Sequence, residues 1–197
     1  LVGSEMCVRD RYWTNKGHDK YDAGRIYGVQ WRDWKKSDGT SVDQLADLIA
    51  GIKKDPTGRR HILTAWNPGE FDQMCLPPCH AFSQFFVEDG KLSCQLYARS
   101  QDICLGTPFN IASYSLLTHM IAQVCDLEVG EYIHTMGDAH VYKNHFEGAY
   151  EQMSREPLPL PTLWLNPDIK NIDDFKMEDI KLLNYQHHPN IKFDMAV

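Results

Sequence analysis

From Ser41 onward, Val42, Leu45, Leu48, Ile49 and Ile52 recur at three- and four-residue spacing. That spacing predicts an amphipathic helix with Thr40 or Ser41 as N-cap and Pro56 and Gly58 closing it. His61–Trp66 is an apolar, strand-like run, followed by a loop rich in Pro, Gly and Asp. Residues 80–87 and 92–99 read as two strands, and Glu88-Asp89-Gly90 between them reads as a hairpin turn. A helix from about Pro108 to Val124 carries Ile111, Leu116, Leu117, Met120, Ile121 and Val124 nearly all round, the pattern of a buried helix. Glu131–Thr135 reads as a short strand and Val141 to about Arg155 as a second amphipathic helix. Leu163–Leu165, Ile180–Leu183 and Ile191–Met195 read as short strands separated by Asn, Asp and Pro. Residues 1–24 are polar and irregular, Gly24 to Trp34 is a tight turn entering an aromatic segment, and Asp38-Gly39 marks another turn. No repeat, low-complexity tract or linker breaks the pattern, so residues 1–197 are expected to form one domain of mixed α/β (α+β) character.

Composition narrows the function classes. The chain has 197 residues, 43% hydrophobic and 24% charged, with a net charge of −7. Nothing in that balance recruits DNA, RNA or an anionic membrane, so an anionic ligand must be held by local arginines. No apolar run reaches the length of a membrane span and no secretory signal opens the chain, which gives a cytoplasmic expectation. The six cysteines, at 7, 75, 79, 94, 104 and 125, are too sparse for a disulfide scaffold. Cys75 and Cys79 straddle two prolines with no second close pair, which argues against a four-ligand zinc site, and no metal is expected. Five of the six cysteines read as small core residues of a reduced protein.

The sixth belongs to one of three segments that carry chemistry. In Leu76-Pro77-Pro78-Cys79-His80, two prolines fix the backbone ahead of a cysteine at a strand entrance, outside the core. A cysteine attacks carbon as thiolate, which needs a nearby cation or base. Arg99-Ser100-Gln101-Asp102 closes the second hairpin strand, where arginine and serine suit a phosphate. Asn110 follows in the first turn of the next helix, either as a helix-capping residue or with its amide on a heterocycle edge. Arg59-Arg60 is a second basic pair, by default solvated. Gly137-Asp138-Ala139-His140-Val141-Tyr142 sits at a strand-to-helix junction, from which His140 and Tyr142 can project together towards a ligand hydroxyl. The residues alone thus point to an enzyme acting on a small phosphorylated substrate.

Taken together, YGVQWRDW, RRHILTAWNP, LPPCHAFSQFFV, GKLSCQLYARS, LGTPFNIASY, GDAHVYKNH and IKFDMAV resemble thymidylate synthases, in the family's order and across nearly all of Gly24 to Val197. The resemblance implies a mixed β-sheet covered by helices, a homodimer joined sheet to sheet, and reductive methylation of dUMP by 5,10-methylenetetrahydrofolate. It makes Cys79 the nucleophile that adds to C6 of uracil, with Arg99 beside it. It gives the substrate phosphate to Arg99 and Ser100, and to Arg59 and Arg60 of the neighbouring subunit. Asn110 would read the O4/N3 edge of the base, His140 and Tyr142 would bind the ribose hydroxyl, and His80 would belong to the water network beside the pyrimidine. Asp102 would bond the pterin, with Trp13, Leu76, Gly106 and Phe109 lining its pocket and the Val197 carboxylate closing over it. Tyr27 would help to remove the C5 proton.

The same resemblance implies that the family pattern begins several dozen residues before Leu1, in a part that would supply another phosphate arginine and a glutamate. Ala98 and Gln101 stand where the family more often has a glutamine and a small residue or cysteine. A dUMP hydroxymethylase of the same fold is the nearest alternative. A relic that binds nucleotide or RNA is a further one, set against the acidic charge and the absence of an aromatic-basic stripe.

Overall fold

The computed structural model describes residues 22–195. Its centre is a four-stranded sheet in the order β3-β4-β5-β6, where β3 is Ile62–Thr64, β4 His80–Glu88, β5 Lys91–Asp102 and β6 Glu128–His140. The β3–β4 and β4–β5 pairs are antiparallel and β5–β6 is parallel. The fold is therefore mixed α+β, as the chain pattern predicts. The hairpin turn is where Asp89-Gly90 places it: both residues have positive φ, 49° and 75°, and Glu88 faces Lys91. That is the two-residue turn whose twist suits antiparallel strands.

Alternation along the strands decides what the sheet faces. Ala81, Ser83, Phe85 and Val87 of β4 and Leu92, Cys94, Leu96 and Ala98 of β5 are buried. Two helices cover that side: α2 (Gln44–Lys54) through Leu45, Leu48 and Ile52, and α3 (Gly106–Val124) through Tyr114, Ile121 and Ala122. The opposite side, with Ile62, Phe82, Phe86, Tyr97 and Ile133, is exposed. A short helix α1 (Gly28–Arg32), the two-residue strands β1 (Trp34–Lys35) and β2 (Ser41–Val42), helix α4 (Phe146–Ser154) and the hairpin β7 (Thr162–Leu165) and β8 (Ile180–Leu183) complete the elements used here.

Several expectations need correction. The N-cap of α2 is Asp43, whose carboxylate accepts the Ala46 N–H at 3.0 Å, because Ser41 and Val42 pair in a strand with Trp34 and Lys35. Helix α3 is not buried all round: Phe109 is 61% exposed and Ile111 is also exposed, while its buried residues, Thr107, Tyr114, Thr118, Ile121, Ala122 and Val124, recur at helical spacing on one side. Strand β6 runs to His140, so the junction segment is strand held by parallel pairing to β5, not loop. The expected helix from Val141 starts at Phe146 after a short 3₁₀ turn (Lys143–His145), and Ile191–Met195 forms no strand.

Candidate active site

Strand directions gather the chemistry at one end of the sheet. The start of β4, the end of β5 and the end of β6 lie side by side, since β4 is antiparallel and β6 parallel to β5. Cys79, Arg99–Asp102 and His140 meet there as a consequence of topology. Cys79 is half-buried, on a loop whose backbone is held from two sides. Its carbonyl accepts the Arg99 N–H at 2.8 Å, and its own N–H donates to the Tyr27 hydroxyl at 3.1 Å. Among the described residues Cys79, Cys94, Cys104 and Cys125 form no disulfide.

Arg99 is anchored before any ligand arrives. Its Nε donates to the Pro78 carbonyl at 2.9 Å and its Nη2 to the Pro77 carbonyl at 2.7 Å, while Nη2 also stands 4.0 Å from the Cys79 sulfur. The guanidinium lies 5.5 Å from the centre of the Trp66 ring. The two prolines therefore do more than stiffen the loop, since their carbonyls fix the guanidinium fork. Among the described residues both Nη1 protons stay uncommitted, and a cation beside the sulfur favours negative charge developing on it. The side chains of Arg99 and Ser100 are not joined by a hydrogen bond here.

Tyr27 and His80 stack in parallel at 3.8 Å, and His80 Nδ1 is bonded to the Tyr114 hydroxyl at 2.6 Å. Pairing in β4 explains how His80 reaches helix α3. His80 faces Ala98 and Phe82 faces Tyr97, so Ala81 is an extra residue in a bulge. The bulge turns His80 off the outward row of Phe82 and Phe86 and towards Tyr114. Burial, with the His134 charge second, pushes the His80 pKa down to about 4, so the imidazole is neutral at physiological pH. Burial, followed by the charge of Cys79, pushes Tyr27 up to about 12, so its phenol keeps its proton.

Tyr27 has the left-handed φ of 43° that a non-glycine residue seldom takes, and buried polar contacts behind it hold the turn. Arg25 donates to Glu70 at 2.8 Å, and the buried Gln30 amide donates to the same carboxylate at 2.7 Å. Asn67 donates to Gln30 at 3.1 Å. Gln30 and Asn67 lie within the motifs read from sequence and Glu70 lies outside them, and their joint role was invisible there.

On the other wall, the Asn110 amide oxygen accepts from Gln101 Nε2 at 3.0 Å. Asn110 lies just past the first turn of α3 and is not its cap, a position held by Leu105. The His140 and Tyr142 rings meet edge to face at 5.1 Å, and the His140 carbonyl accepts the Ile103 N–H, tying the end of β6 to the turn after Asp102. Asp102 Oδ1 accepts from the Cys104 and Leu105 N–H groups at 3.0 and 3.3 Å, leaving Oδ2 uncommitted among the described residues. Leu76 and Phe109 are exposed. Asp102, Cys104 and His145 each offer one ligand atom within 4.8 Å of one another, but burial and the Asp102 charge keep the Cys104 thiol pKa raised.

Arg59 and Arg60 are exposed, and Arg60 lines a recess beside α2 with Asp47, Lys54 and Asp55, away from Cys79. Within one chain the structure does not bring them to the site. Trp13 and Val197 lie outside the described residues. Sequence reasoning missed Tyr114 and Trp66. Tyr114 was within reach, being one helical turn beyond Asn110.

The family model described as Thymidylate synthase matches residues 7–197. The chain belongs to the thymidylate synthase family. Family membership fits the geometry on both walls: a cysteine beside an anchored arginine on one, and an oriented amide above an acidic residue on the other. A folate-dependent family fits such a site. Among the described residues no helix is long and apolar enough to cross a membrane.

Proposed function

We propose that this thymidylate synthase family member converts dUMP to dTMP with 5,10-methylenetetrahydrofolate as co-substrate. The observation that carries the reading is the half-buried Cys79 sulfur, 4.0 Å from an Arg99 guanidinium already fixed by Pro77 and Pro78. In this reading the sulfur forms a bond to C6 of the uracil. The C5=C6 electron pair moves to C5 and onto O4, where an N–H of Asn110 stabilises it. C5 then bonds to the one-carbon unit. Loss of the C5 proton, assisted from the Tyr27 side, breaks the bond between the one-carbon unit and the folate nitrogen and leaves a methylene group on C5; hydride then adds to that carbon, the C5=C6 bond re-forms and the thiolate of Cys79 leaves. The folate supplies the carbon and a hydride and departs as dihydrofolate.

The Tyr27 hydroxyl accepts the Cys79 N–H and keeps its own proton, so in this reading it assists by donating a hydrogen bond to the group that takes the C5 proton and is not itself the base. Asp102 Oδ2 is free to accept from a pterin, and exposed Leu76 and Phe109 offer apolar surface to its rings, so these residues fit the co-substrate. Gly106 would line the same pocket. Arg99 Nη1, Ser100, and Arg59 and Arg60 of a second copy would hold the phosphate, with His140 and Tyr142 on the ribose. The second copy would lie across the exposed sheet face, giving a homodimer of single catalytic domains working in the cytoplasm.

The test follows dihydrofolate absorbance in mixtures of protein, dUMP and methylenetetrahydrofolate. Formation that requires both ligands supports methylation. Consumption of dUMP without dihydrofolate would turn the reading to hydroxymethylation. Bound dUMP with no turnover would mark a nucleotide-binding protein.

A further inference from the structure

The Asn110 amide can select a base only if its two ends are told apart. A chain of hydrogen bonds through residues outside the proposed catalytic set does this. The Asp102 backbone carbonyl can only accept, and the Thr107 hydroxyl lies 3.1 Å from it. Thr107 therefore spends its single proton there. The same hydroxyl is 2.9 Å from the Gln101 amide, so it must accept from it, which makes that end Nε2. The second Nε2 proton points to Asn110 at 3.0 Å, and the Asn110 atom facing it must be Oδ1. Nδ2 is left for the ligand. A reversed Asn110 would set NH₂ against NH₂ beside a residue that is 2% exposed, where no water compensates. The site is also cut to fit the Gln101 amide. A Cβ on Gly106 would lie 3.3 Å from Gln101 Nε2 and 3.9 Å from Asn110 Oδ1.

We propose that Gln101, oriented by Thr107, is the positioning residue that sets pyrimidine choice: it turns Asn110 so that Nδ2 donates to a carbonyl at C4 and repels a C4 amino group. This rests on the dUMP reading and deepens it. The remaining lone pair of Asn110 Oδ1 suits the ring N–H that uracil has and cytosine lacks. Gln101 touches no substrate in this scheme and acts only through Asn110.

The experiment measures dissociation constants of dUMP and dCMP by calorimetry for the wild type, Gln101→Glu, Thr107→Val and Thr107→Ser, with thermal melts as a check on folding. A carboxylate at 101 accepts from Asn110 Nδ2 and turns Oδ1 to the ligand. Gln101→Glu should therefore cut the preference for dUMP over dCMP by about tenfold or more, with dCMP binding tightened and not merely dUMP binding lost. Thr107→Val, which frees Gln101 to reverse, should lower the preference by a smaller factor, and Thr107→Ser should restore it. A wild type that binds both nucleotides equally overturns the dUMP reading and this proposal with it. A wild type that prefers dUMP, while folded Gln101→Glu and Thr107→Val keep its ratio, overturns the assignment to Gln101 alone.

Discussion

His80 is wedged between the Tyr27 ring and the Tyr114 hydroxyl, with His134 the nearest other titrating influence. Its pKa falls from 6.5 in the unfolded chain to about 4 in the folded one. The unfolded state thus binds the proton more readily. The stability gained from keeping His80 neutral is present above pH 6.5 and is lost as pH falls towards about 4, by roughly 3 kcal/mol at most. Denaturant unfolding of the wild type and His80→Asn across that window should show the wild type losing stability more steeply; parallel curves would contradict the buried neutral imidazole. At this scale Cys79, Arg99 and Asn110 could be picked out of the sequence as a cysteine at a strand entrance, a cation at a strand end and an amide at a helix start, whereas His80 entered only through the family resemblance. Tyr114 and Trp66 could not be picked out, because a tyrosine or tryptophan among apolar neighbours reads as core until its partner is placed. Gln101 drew notice only as a departure from the family pattern, and its bonds to Thr107 and Asn110 needed coordinates to be seen.

Among the elements, β5 and β6 set the spacing of the site. Their parallel pairing carries Ser100 opposite Asp138 and Asp102 opposite His140. At Gly137 a Cβ would stand 3.0 Å from the Arg99 carbonyl and 3.0 Å from the Tyr97 hydroxyl. Gly137→Ala should push the strands apart at the site, costing ~1–3 kcal/mol of stability and weakening nucleotide binding. Melting and dUMP titration check this, and an unchanged affinity would mean that β6 does not position Arg99. Strand alternation and the Asp89-Gly90 turn made the hairpin readable in the sequence. The extension of β6 to His140 was hidden because Gly137-Asp138-Ala139 is weak in strand propensity, and tertiary pairing overrides that. The bulge at Ala81 was equally hidden, since nothing in the alternation of β4 marks an extra residue.

For the whole molecule, one sheet face is packed on α2 and α3 and the other is open. Phe82, Phe86, Tyr97, Ile62 and Ile133 form an apolar patch on a chain that otherwise carries net negative charge. Such a patch suits a subunit interface. In the proposed homodimer this face is the seam, so Phe86→Glu should give a monomer in sedimentation and abolish activity with it, since the proposed reach of Arg59 and Arg60 to a neighbour's phosphate site would be lost. A monomeric variant with full activity would remove the shared-site reading. Assembly was the level least visible in the residue pattern, which shows that a strand alternates but not which side a partner covers.

The central claim is that the Cys79 sulfur bonds to the pyrimidine so that C5 gives up its hydrogen. It is tested most directly with dUMP deuterated at C5, incubated with methylenetetrahydrofolate and followed by NMR. The wild type should release deuterium into solvent, whereas Cys79→Ser should bind dUMP and retain it. Release by Cys79→Ser at the wild-type rate would contradict the account.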